Sequence, residues 1–277
     1  MIVVTGATGN VGRPLVQGLA AAGEQVTAVS RRPAEAPEGV RHRQADLAEP
    51  ESLRTVLNGA DALFLLVSGA GGHVNPQAIL DVAKAGGVRR IVLQSSQAAG
   101  TRPESDSHSP LRELEGAIQQ SGLDWTILRP GGFASNAFAW AETVRSQRTV
   151  TAPFGDVALP TVDPADIAEV AVAALRDGGH AGRTYELTGP ASITSRQRAQ
   201  AIGEALGTPV RFIEQSREEA RAQMLQFMPE PVADGTLSIL GEPSAAEQRV
   251  SPDVERILGR SPRTFAEWAV RNVAAFR

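Results

Sequence analysis

The amino terminus runs an apolar strand straight into a glycine-rich turn, and no other stretch constrains the fold as strongly. Residues 2–4 are Ile-Val-Val, a continuous apolar run typical of a buried parallel strand. Gly6, Gly9 and Gly12 follow, and an apolar helical pattern over residues 14–22 comes directly after them. Backbone N–H groups at a helix N-terminus can hold a phosphate only where no Cβ blocks the approach. The stretch therefore predicts a pyrophosphate site between a first strand and a first helix.

The spacing of these glycines is Gly-x-x-Gly-x-x-Gly, which differs from the Gly-x-Gly-x-x-Gly of the dinucleotide fingerprint. Their position directly after a strand therefore carries the interpretation, and a glycine-rich turn without a ligand is the alternative. The residues predicted to hold the pyrophosphate are Gly6, Thr8, Gly9, Asn10, Val11 and Gly12.

Apolar strand patterns alternate with helical patterns along the chain, and helices are expected at residues 76–85 and 195–206. Such alternation is typical of α/β proteins in which helices cover both faces of a parallel sheet. We therefore expect a doubly wound parallel-sheet Rossmann fold with a smaller C-terminal α+β lobe. The expected boundary lies near residue 150, between an N-terminal domain at residues 1–150 and the lobe at 151–277. Part of that lobe, near residues 160–190, is expected to return to the main sheet.

Two arginines, Arg31 and Arg32, stand where the second strand is expected to end. In a dinucleotide site an acidic residue at this position holds the ribose 2′-hydroxyl of NAD(H), whereas arginine pairs with the 2′-phosphate of NADP(H). The pair therefore predicts that NADP(H) is preferred over NAD(H), and two solvated arginines are the alternative. Asp46 and Leu47, after the third strand, are predicted to receive the adenine, unless Asp46 caps a helix instead.

Small and polar residues after the other strands are expected to complete the nucleotide site. The fourth strand leads into a second glycine-rich loop at residues 68–72. Ligands of a doubly wound sheet bind at the carboxyl ends of the strands, in the crevice where the strand order reverses. The further cofactor-binding residues predicted after strands four, five and six are Val67, Ser68, Gly69, Ser95, Ser96, Pro130, Gly131 and Phe133.

Composition argues against several functional classes. The formal net charge is −4 and no long basic run occurs, so a nucleic-acid partner is not expected. The chain has no cysteine and its four histidines lie far apart, so we expect no metal site. No apolar run approaches the ~20 residues of a membrane span, and a first strand at Ile2 leaves no room for a targeting peptide. We expect a cytoplasmic monomer or homodimer whose partner is a small molecule.

Several blocks spread over nearly the whole chain form a recognisable pattern: residues 4–12, 29–33, 44–47, Glu115 with 121–130, 133–136 and 262–268. In these blocks the sequence resembles the atypical short-chain dehydrogenase/reductases of the NmrA-like group. That group includes NADPH-dependent quinone and dye reductases and also nucleotide-sensing regulators. The resemblance implies that residues 1–150 form an NAD(P)-binding Rossmann domain, which carries NADP(H). It also implies that residues 151–277 form a smaller substrate-binding lobe, which shapes a substrate cleft.

The chain lacks the Tyr-x-x-x-Lys pair with which short-chain dehydrogenases pass a proton, because its only tyrosine and lysine, Tyr185 and Lys84, lie far apart. Alignment with the family places Ser107 at the tyrosine position. The polar segment at residues 100–109 is expected to form a loop over the site. Within it, His108 is the candidate catalytic proton donor, and an ordinary loop histidine is the alternative.

Four further residues are candidates for the substrate cleft: Gln97, Asn136, Trp140 and Phe154. Core packing is the alternative role for the two aromatic residues, and capping of the next helix is the alternative for Asn136.

A dihydronicotinamide beside an apolar cleft suits acceptors such as quinones, dyes and activated double bonds, because the cofactor supplies the chemistry and the protein supplies orientation. We therefore expect an NADPH-dependent oxidoreductase that transfers hydride to a small apolar or aromatic acceptor. The alternative is a non-catalytic NADP(H)-sensing regulator of the NmrA type, and an isomerase that recycles its nucleotide is a third hypothesis.

Overall fold

The computed structural model describes residues 1–67 and 71–277, and its strands and helices are bounded as follows. The strands are β1 (Ile2–Val4), β2 (Val26–Ser30), β3 (Arg41–Gln44), β4 (Ala62–Leu66), β5 (Arg90–Gln94), β6 (Asp124–Pro130), β7 (Thr149–Ala152), β8 (Ala158–Leu159), β9 (Arg183–Leu187), β10 (Ile193–Thr194) and β11 (Arg211–Glu214). The α-helices are α1 (Gly12–Ala21), α2 (Arg54–Leu57), α3 (Pro76–Ala85), α4 (Gln97–Thr101), α5 (Ser109–Gln119), α6 (Ala141–Gln147), α7 (Pro164–Arg176), α8 (Ser195–Leu206), α9 (Arg217–Met224), α10 (Glu230–Gly241), α11 (Ala245–Gln248), α12 (Asp253–Leu258) and α13 (Phe265–Arg271). The 3₁₀ turns are Pro50–Leu53, Asp106–His108, Ala134–Trp140, Gly178–His180 and Val273–Phe276.

Seven of the strands form one sheet in the order β3-β2-β1-β4-β5-β6-β9, and every neighbouring pair is parallel. The predicted doubly wound parallel sheet is therefore confirmed. The chain moves outward from β1 to β3, returns to the middle and then moves outward again from β4. The reversal of strand order consequently lies between β1 and β4, where the crevice of such a sheet opens.

The hydroxyl of Thr5 ties the two strands together at this reversal. Its Oγ1 donates to the carbonyl of Phe64 over 3.1 Å and accepts from the N–H of Leu66 over 2.8 Å. Thr5 is only 2% exposed, so both bonds are shielded from water. The first residue of the glycine-rich turn is thereby fixed against the end of β4.

Apolar cores cover both faces of the sheet. On one face, α1 and α7 pack against each other, and Leu15, Leu19 and Ile167 are fully buried there. On the other face, α2, α3 and α5 bury Leu57 and Ile79. The buried residues of these helices recur at helical spacing, as expected for amphipathic helices on a buried sheet.

The rest of the described chain builds a smaller lobe. β7 pairs with β11 in parallel and β8 pairs with β10 antiparallel, and a third apolar cluster around Trp268 and Phe276 lies beneath them. β9 lies in the main sheet and is paired with β6, although it follows the first strands of this lobe in the chain.

Ion pairs fasten the C-terminal segment to α7. Asp166 is fully buried and accepts from Arg260 Nη2 and from the backbone N–H of Arg263, both over 2.7 Å. Asp163 caps α7 through Ala165 and also pairs with Arg271 of α13. Because a buried carboxylate is stable only when such partners are present, these contacts fix how the C-terminal segment meets the sheet.

The segment predicted as a loop at residues 100–109 is partly helical, which corrects that expectation. The α4 helix runs through Thr101, and its N-cap Ser96 accepts from the N–H of Ala98. The Arg129 guanidinium, paired with buried Glu115, lies so close that a Cβ at Gly100 would be 2.3 Å from its Nη1. So short a helix depends on this tertiary packing and has no sequence pattern of its own. The helices predicted at residues 76–85 and 195–206 are confirmed at those bounds.

Substitution of Gly12 tests the packing of the turn against α1. A Cβ at this position would lie 2.1 Å from the Gly6 carbonyl oxygen, so Gly12→Ala should destabilise the protein by about 3 kcal/mol. The matched control is Gly116→Ala in α5, where a Cβ meets nothing within 4 Å. That control should stabilise the fold by about 0.5–1 kcal/mol because alanine favours helix. Urea unfolding measures both, and equal effects would contradict the proposed packing.

Candidate functional site

A first cleft of about 420 Å³ opens at the carboxyl ends of β1, β2 and β4. It lies at the reversal of strand order, where ligands of doubly wound sheets bind. The predicted cofactor residues that line it are Gly6, Thr8, Gly9, Asn10, Val11, Arg31, Asp46, Leu47, Val67 and Phe133. Lining residues that the sequence did not single out include Val29, Ser30, Leu53, Leu66, His73 and Gln94.

The glycine-rich turn forms the floor of this cleft. Gly6 has a φ of +63°, and its carbonyl accepts from the N–H of Gly9 over 3.0 Å. Helix α1 begins at Gly12, and Val11 at its N-cap makes no side-chain capping bond. The N–H of Arg13 donates to the Gly9 carbonyl over 3.1 Å and Pro14 has no N–H. In the first helical turn, Gly12 alone has an N–H without an acceptor among the described residues, and the helix dipole favours an anion there. Gly12 itself does not line the cleft but lets α1 start against the turn.

The two arginines after β2 occupy different places. Arg31 lines the first cleft, whereas Arg32 does not. Their backbone is held by Gln44 Nε2, which donates to the Arg31 carbonyl over 2.9 Å, and by Ser30 Oγ, which donates to the Arg32 carbonyl over 2.6 Å. The exposed Arg31 side chain is therefore carried on a fixed backbone at the cleft edge.

Asp46 was assigned two alternative roles, and the structure shows what its carboxylate contacts. Oδ1 accepts from the N–H of Ala48 over 3.0 Å, which closes a local turn. The following 3₁₀ turn begins at Pro50, and its N-cap is Glu49. Asp46 therefore does not cap that helical segment, and together with Leu47 it lines the first cleft.

A second cleft of about 350 Å³ adjoins the first, because Val67, Gln94 and Phe133 line both. The predicted residues that line the second cleft only are Ser95, Ser96, Gln97, His108, Pro130, Gly131 and Asn136. If the pyrophosphate of a dinucleotide rests on the glycine turn and the adenine lies beside Asp46 and Leu47, the nicotinamide would lie near this junction.

Two buried polar atoms at the junction have no hydrogen-bond partner in the described part of the chain: Gln94 Oε1 and Ser95 Oγ. Ser95 is 7% exposed and lines the second cleft, and Gln94 lines both clefts. An unpaired buried polar group carries a free-energy cost that a bound polar ligand removes. The junction thus fits a ring that bears an amide, such as a nicotinamide.

Helix α10 forms one wall of the second cleft, and the sequence interpretation missed it. Its lining residues lie at helical i, i+4, i+7 and i+8 spacing and are Val232, Thr236, Ile239 and Leu240. The middle of the helix lies close to Ser107, since a Cβ at Gly235 would be 2.8 Å from Ser107 Oγ. The stripe between Pro231 and Pro243 was a usable signal for a buried helical face.

Arg102 and Glu247 hold this wall in place. Glu247 is 2% exposed, and it accepts from Arg102 Nε over 2.7 Å and from Thr101 Oγ1 over 3.0 Å. Arg102 also donates to the side chain of Ser238 and to the carbonyl of Glu242, at the end of α10. Burial raises the pKa of the Glu247 carboxyl, but the hydrogen bonds from Arg102, the Ser244 N–H and Thr101 outweigh it and hold the pKa below its usual value.

His108 lies on the second cleft in a cluster of hydroxyl groups. Its Nδ1 is 3.0 Å from Ser107 Oγ and 3.5 Å from Ser105 Oγ. Burial lowers the pKa of this imidazole, and the positive charges of Arg112 and Arg102 lower it further. Both effects favour the neutral form of the imidazole.

Two predicted substrate residues are not brought to either cleft. The Trp140 ring is 5.1 Å from the guanidinium of Arg198. Phe154, with a φ of +53°, packs against the end of α10, since a Cβ at Gly241 would be 2.6 Å from its ring. The predicted cofactor residues Ser68 and Gly69 lie outside the described residues.

Among residues 1–67 and 71–277, no group of three or more His, Asp or Glu side chains is arranged to hold a metal ion. Within the same ranges no helix is both long and apolar enough to cross a bilayer.

Comparison with known proteins places the chain among nucleotide-dependent enzymes. A family model described as NAD(P)H-binding matches residues 6–178. The chain is 37% identical to a (4-alkanoyl-5-oxo-2,5-dihydrofuran-3-yl)methyl phosphate reductase of Streptomyces griseus over 100% of this chain and 99% of the relative. It is 34% identical to an NAD(P)H azoreductase of Xenophilus azovorans, again over 100% and 99%. The crystal structure of an NADPH-dependent quinone oxidoreductase from Escherichia coli, complexed with NADPH, is 28% identical and superposes with a TM-score of 0.82 over 98% of this chain and 99% of that one.

Neutralisation of Glu247 tests the anchoring of α10. Glu247→Gln leaves Arg102 without its buried counter-charge, so we expect a loss of about 2–4 kcal/mol in the free energy of unfolding at pH 7. The folded-state pKa lies below the unfolded value, so this stabilisation is present above the unfolded pKa and is lost as pH falls through the folded one. The difference between wild type and variant should therefore shrink below pH ~4.

The matched control for this prediction is Glu51→Gln, which removes an exposed pair with Arg54 and should change stability little. Urea titrations at pH 7 and below pH ~4 give the free energies of unfolding of the wild type and both variants. A Glu247→Gln variant as stable as the control would show that the pair does not anchor α10.

Proposed function

Because this chain belongs to the NAD(P)H-binding family, we propose that it is an NADPH-dependent oxidoreductase that transfers hydride to a small apolar or aromatic acceptor of the quinone, dye or enone type. The observation that carries the proposal is the meeting of two clefts at Val67, Gln94 and Phe133. One cleft has the glycine turn suited to a dinucleotide, and the other is largely apolar. A nicotinamide at the junction would touch whatever occupies the second cleft.

The nucleotide side of the site is assigned from the first cleft. The turn at Gly6 and Gly9 and the first turn of α1 would hold the pyrophosphate, and Asp46 with Leu47 would border the adenine. When bound, NADPH supplies the hydride. The unpaired Gln94 Oε1 would orient the nicotinamide amide, so that one ring face is directed into the second cleft.

The acceptor side combines an apolar wall with several polar side chains that also line the cleft. Leu111, Val232, Ile239 and Leu240 would enclose a flat ring and exclude water from it. Glu247, the one acid among the described residues of this wall, is neutralised by its ion pair with Arg102. The apolar side chains of this wall therefore suit a flat aromatic or quinonoid ring.

The similarity to reductases favours an enzyme over a nucleotide-sensing regulator, and a second observation favours it as well. A nucleotide sensor needs only the first cleft, whereas this chain also closes a second one with α10 and an ion-pair anchor. The missing Tyr-Lys pair does not oppose turnover, because quinones and dyes accept hydride readily once they are correctly placed. We assign the main sheet, including β9, to nucleotide binding and the C-terminal lobe to acceptor binding.

Turnover is tested by following NADPH absorbance with a panel of benzoquinones, naphthoquinones, azo dyes and triphenylmethane dyes. We expect at least one class to be reduced with saturation kinetics and with one NADPH consumed per two-electron reduction. Tight NADPH binding in a titration, without oxidation by any acceptor of the panel, would favour the nucleotide sensor instead.

Preference for NADPH is assigned to Arg31, whose guanidinium would pair with the 2′-phosphate. Arg31→Ala should lower the ratio of NADPH to NADH affinity about 10- to 100-fold, the effect of losing a charge-assisted hydrogen bond. Arg32→Ala is the matched control, since Arg32 lies beside it but off the cleft, and it should change that ratio little. Fluorescence titration with both nucleotides gives the ratios. An unchanged ratio in Arg31→Ala would remove the assignment.

A further inference from the structure

We propose that Ser107 and His108 form a proton relay to the oxygen atom of the acceptor. The inference rests on the proposed hydride transfer and adds to it a group of acceptors, those that must gain a proton at oxygen as they are reduced. It assigns Ser107 as the group that touches the acceptor and His108 as the group that replaces the proton.

The geometry for such a relay is present. The Ser107 hydroxyl is 3.0 Å from Nδ1 of His108, and the Ser105 hydroxyl is 2.9 Å from that of Ser107. Distances of this size are those of hydrogen bonds along which a proton moves. Both Ser107 and His108 line the second cleft, which shares Val67, Gln94 and Phe133 with the nucleotide cleft.

The pair is held at the cleft by its backbone surroundings. The 3₁₀ turn Asp106–His108 leads directly into α5, and Arg112 of that helix donates to the carbonyls of Arg102 and Ser105 over 3.2 Å and 2.8 Å. From the other side α10 approaches through Gly235, which has no side chain to displace Ser107. The hydroxyl is therefore positioned by packing rather than left free to rotate into solvent.

The electrostatic field at this place favours an anion on the acceptor. Among the described residues Arg112 has no carboxylate within salt-bridge distance, so its charge is uncompensated, whereas the charge of Arg102 is balanced by Glu247. Burial and the charge of Arg112 lower the pKa of His108, and that charge would stabilise the oxyanion that forms when hydride adds to a quinone or an enone.

The step balances as follows. Hydride from the dihydronicotinamide adds two electrons and one hydrogen to the acceptor, and an oxyanion is left on its carbonyl oxygen. Ser107 Oγ–H gives its proton to that oxygen, His108 Nδ1–H gives its proton to Ser107, and Nε2 takes one from water. The net change is NADPH plus acceptor plus one solvent proton giving NADP⁺ and the reduced acceptor.

A comparison of two acceptors tests the relay. A quinone needs the proton, whereas a cationic triphenylmethane dye becomes neutral on gaining hydride and needs none. Single-turnover oxidation of NADPH should be slowed about 100-fold by His108→Gln and by Ser107→Ala with the quinone, and by less than about twofold with the dye. The control His180→Gln changes a histidine whose Nδ1 is 2.9 Å from Tyr185, outside both clefts, and should slow neither acceptor.

Chemical rescue of the quinone rate is a second measurement, and it separates proton transfer by His108 from a purely structural role. Added imidazole should restore part of the lost quinone rate in His108→Ala and should leave the wild type unchanged. Equal slowing of both acceptors, unchanged rates, or absence of rescue would each overturn the relay, while the proposed oxidoreductase function would stand. If none of the acceptors supports NADPH oxidation by the wild type, the proposed oxidoreductase function itself is wrong.

Discussion

The site depends on one constraint of the sheet, which is that strand order reverses between β1 and β4. The helices that follow β1 and β4 lie on opposite faces of the sheet, so a crevice remains between the ends of these two strands. Here Thr5 bridges the two strands with its buried hydroxyl, and the glycine turn begins directly after it. The crevice is therefore narrow at its base and lined by backbone, which suits a phosphate more than a side chain.

The joined clefts have a source of positive charge at each end. At the proposed nucleotide end, α1 begins with the N–H of Gly12, which has no acceptor among the described residues, and Arg31 stands at the edge of the cleft. At the acceptor end, Arg112 contributes a charge that is bound only to carbonyl oxygens among the described residues. Between them the wall formed by Phe133 and Val67 is apolar. Charge favours the anionic parts of the cofactor and of the reduced acceptor, while the apolar middle favours flat rings.

The sheet and the glycine turn that borders the first cleft were predictable because their signals are local. A strand, three glycines and a helix lie within a few residues of one another, and Arg31 follows its strand directly. The assignments at the acceptor site were weaker because its walls come from distant parts of the chain. The α10 helix meets Ser107 only through tertiary packing, and the Arg102–Glu247 pair joins residues far apart in sequence. Trp140 and Phe154 were placed by proximity to strands, and packing in the lobe takes both rings away from the cleft.

The central claim is that the two clefts form one continuous path, with the reactive ring of the nucleotide at their junction. A crystal structure of the protein with bound NADP⁺ tests this most directly. We predict that the nicotinamide ring contacts Phe133, that its amide bonds to Gln94, and that one ring face is open to the second cleft. A nicotinamide directed away from Phe133, or a ring separated from the second cleft by protein, would contradict the account.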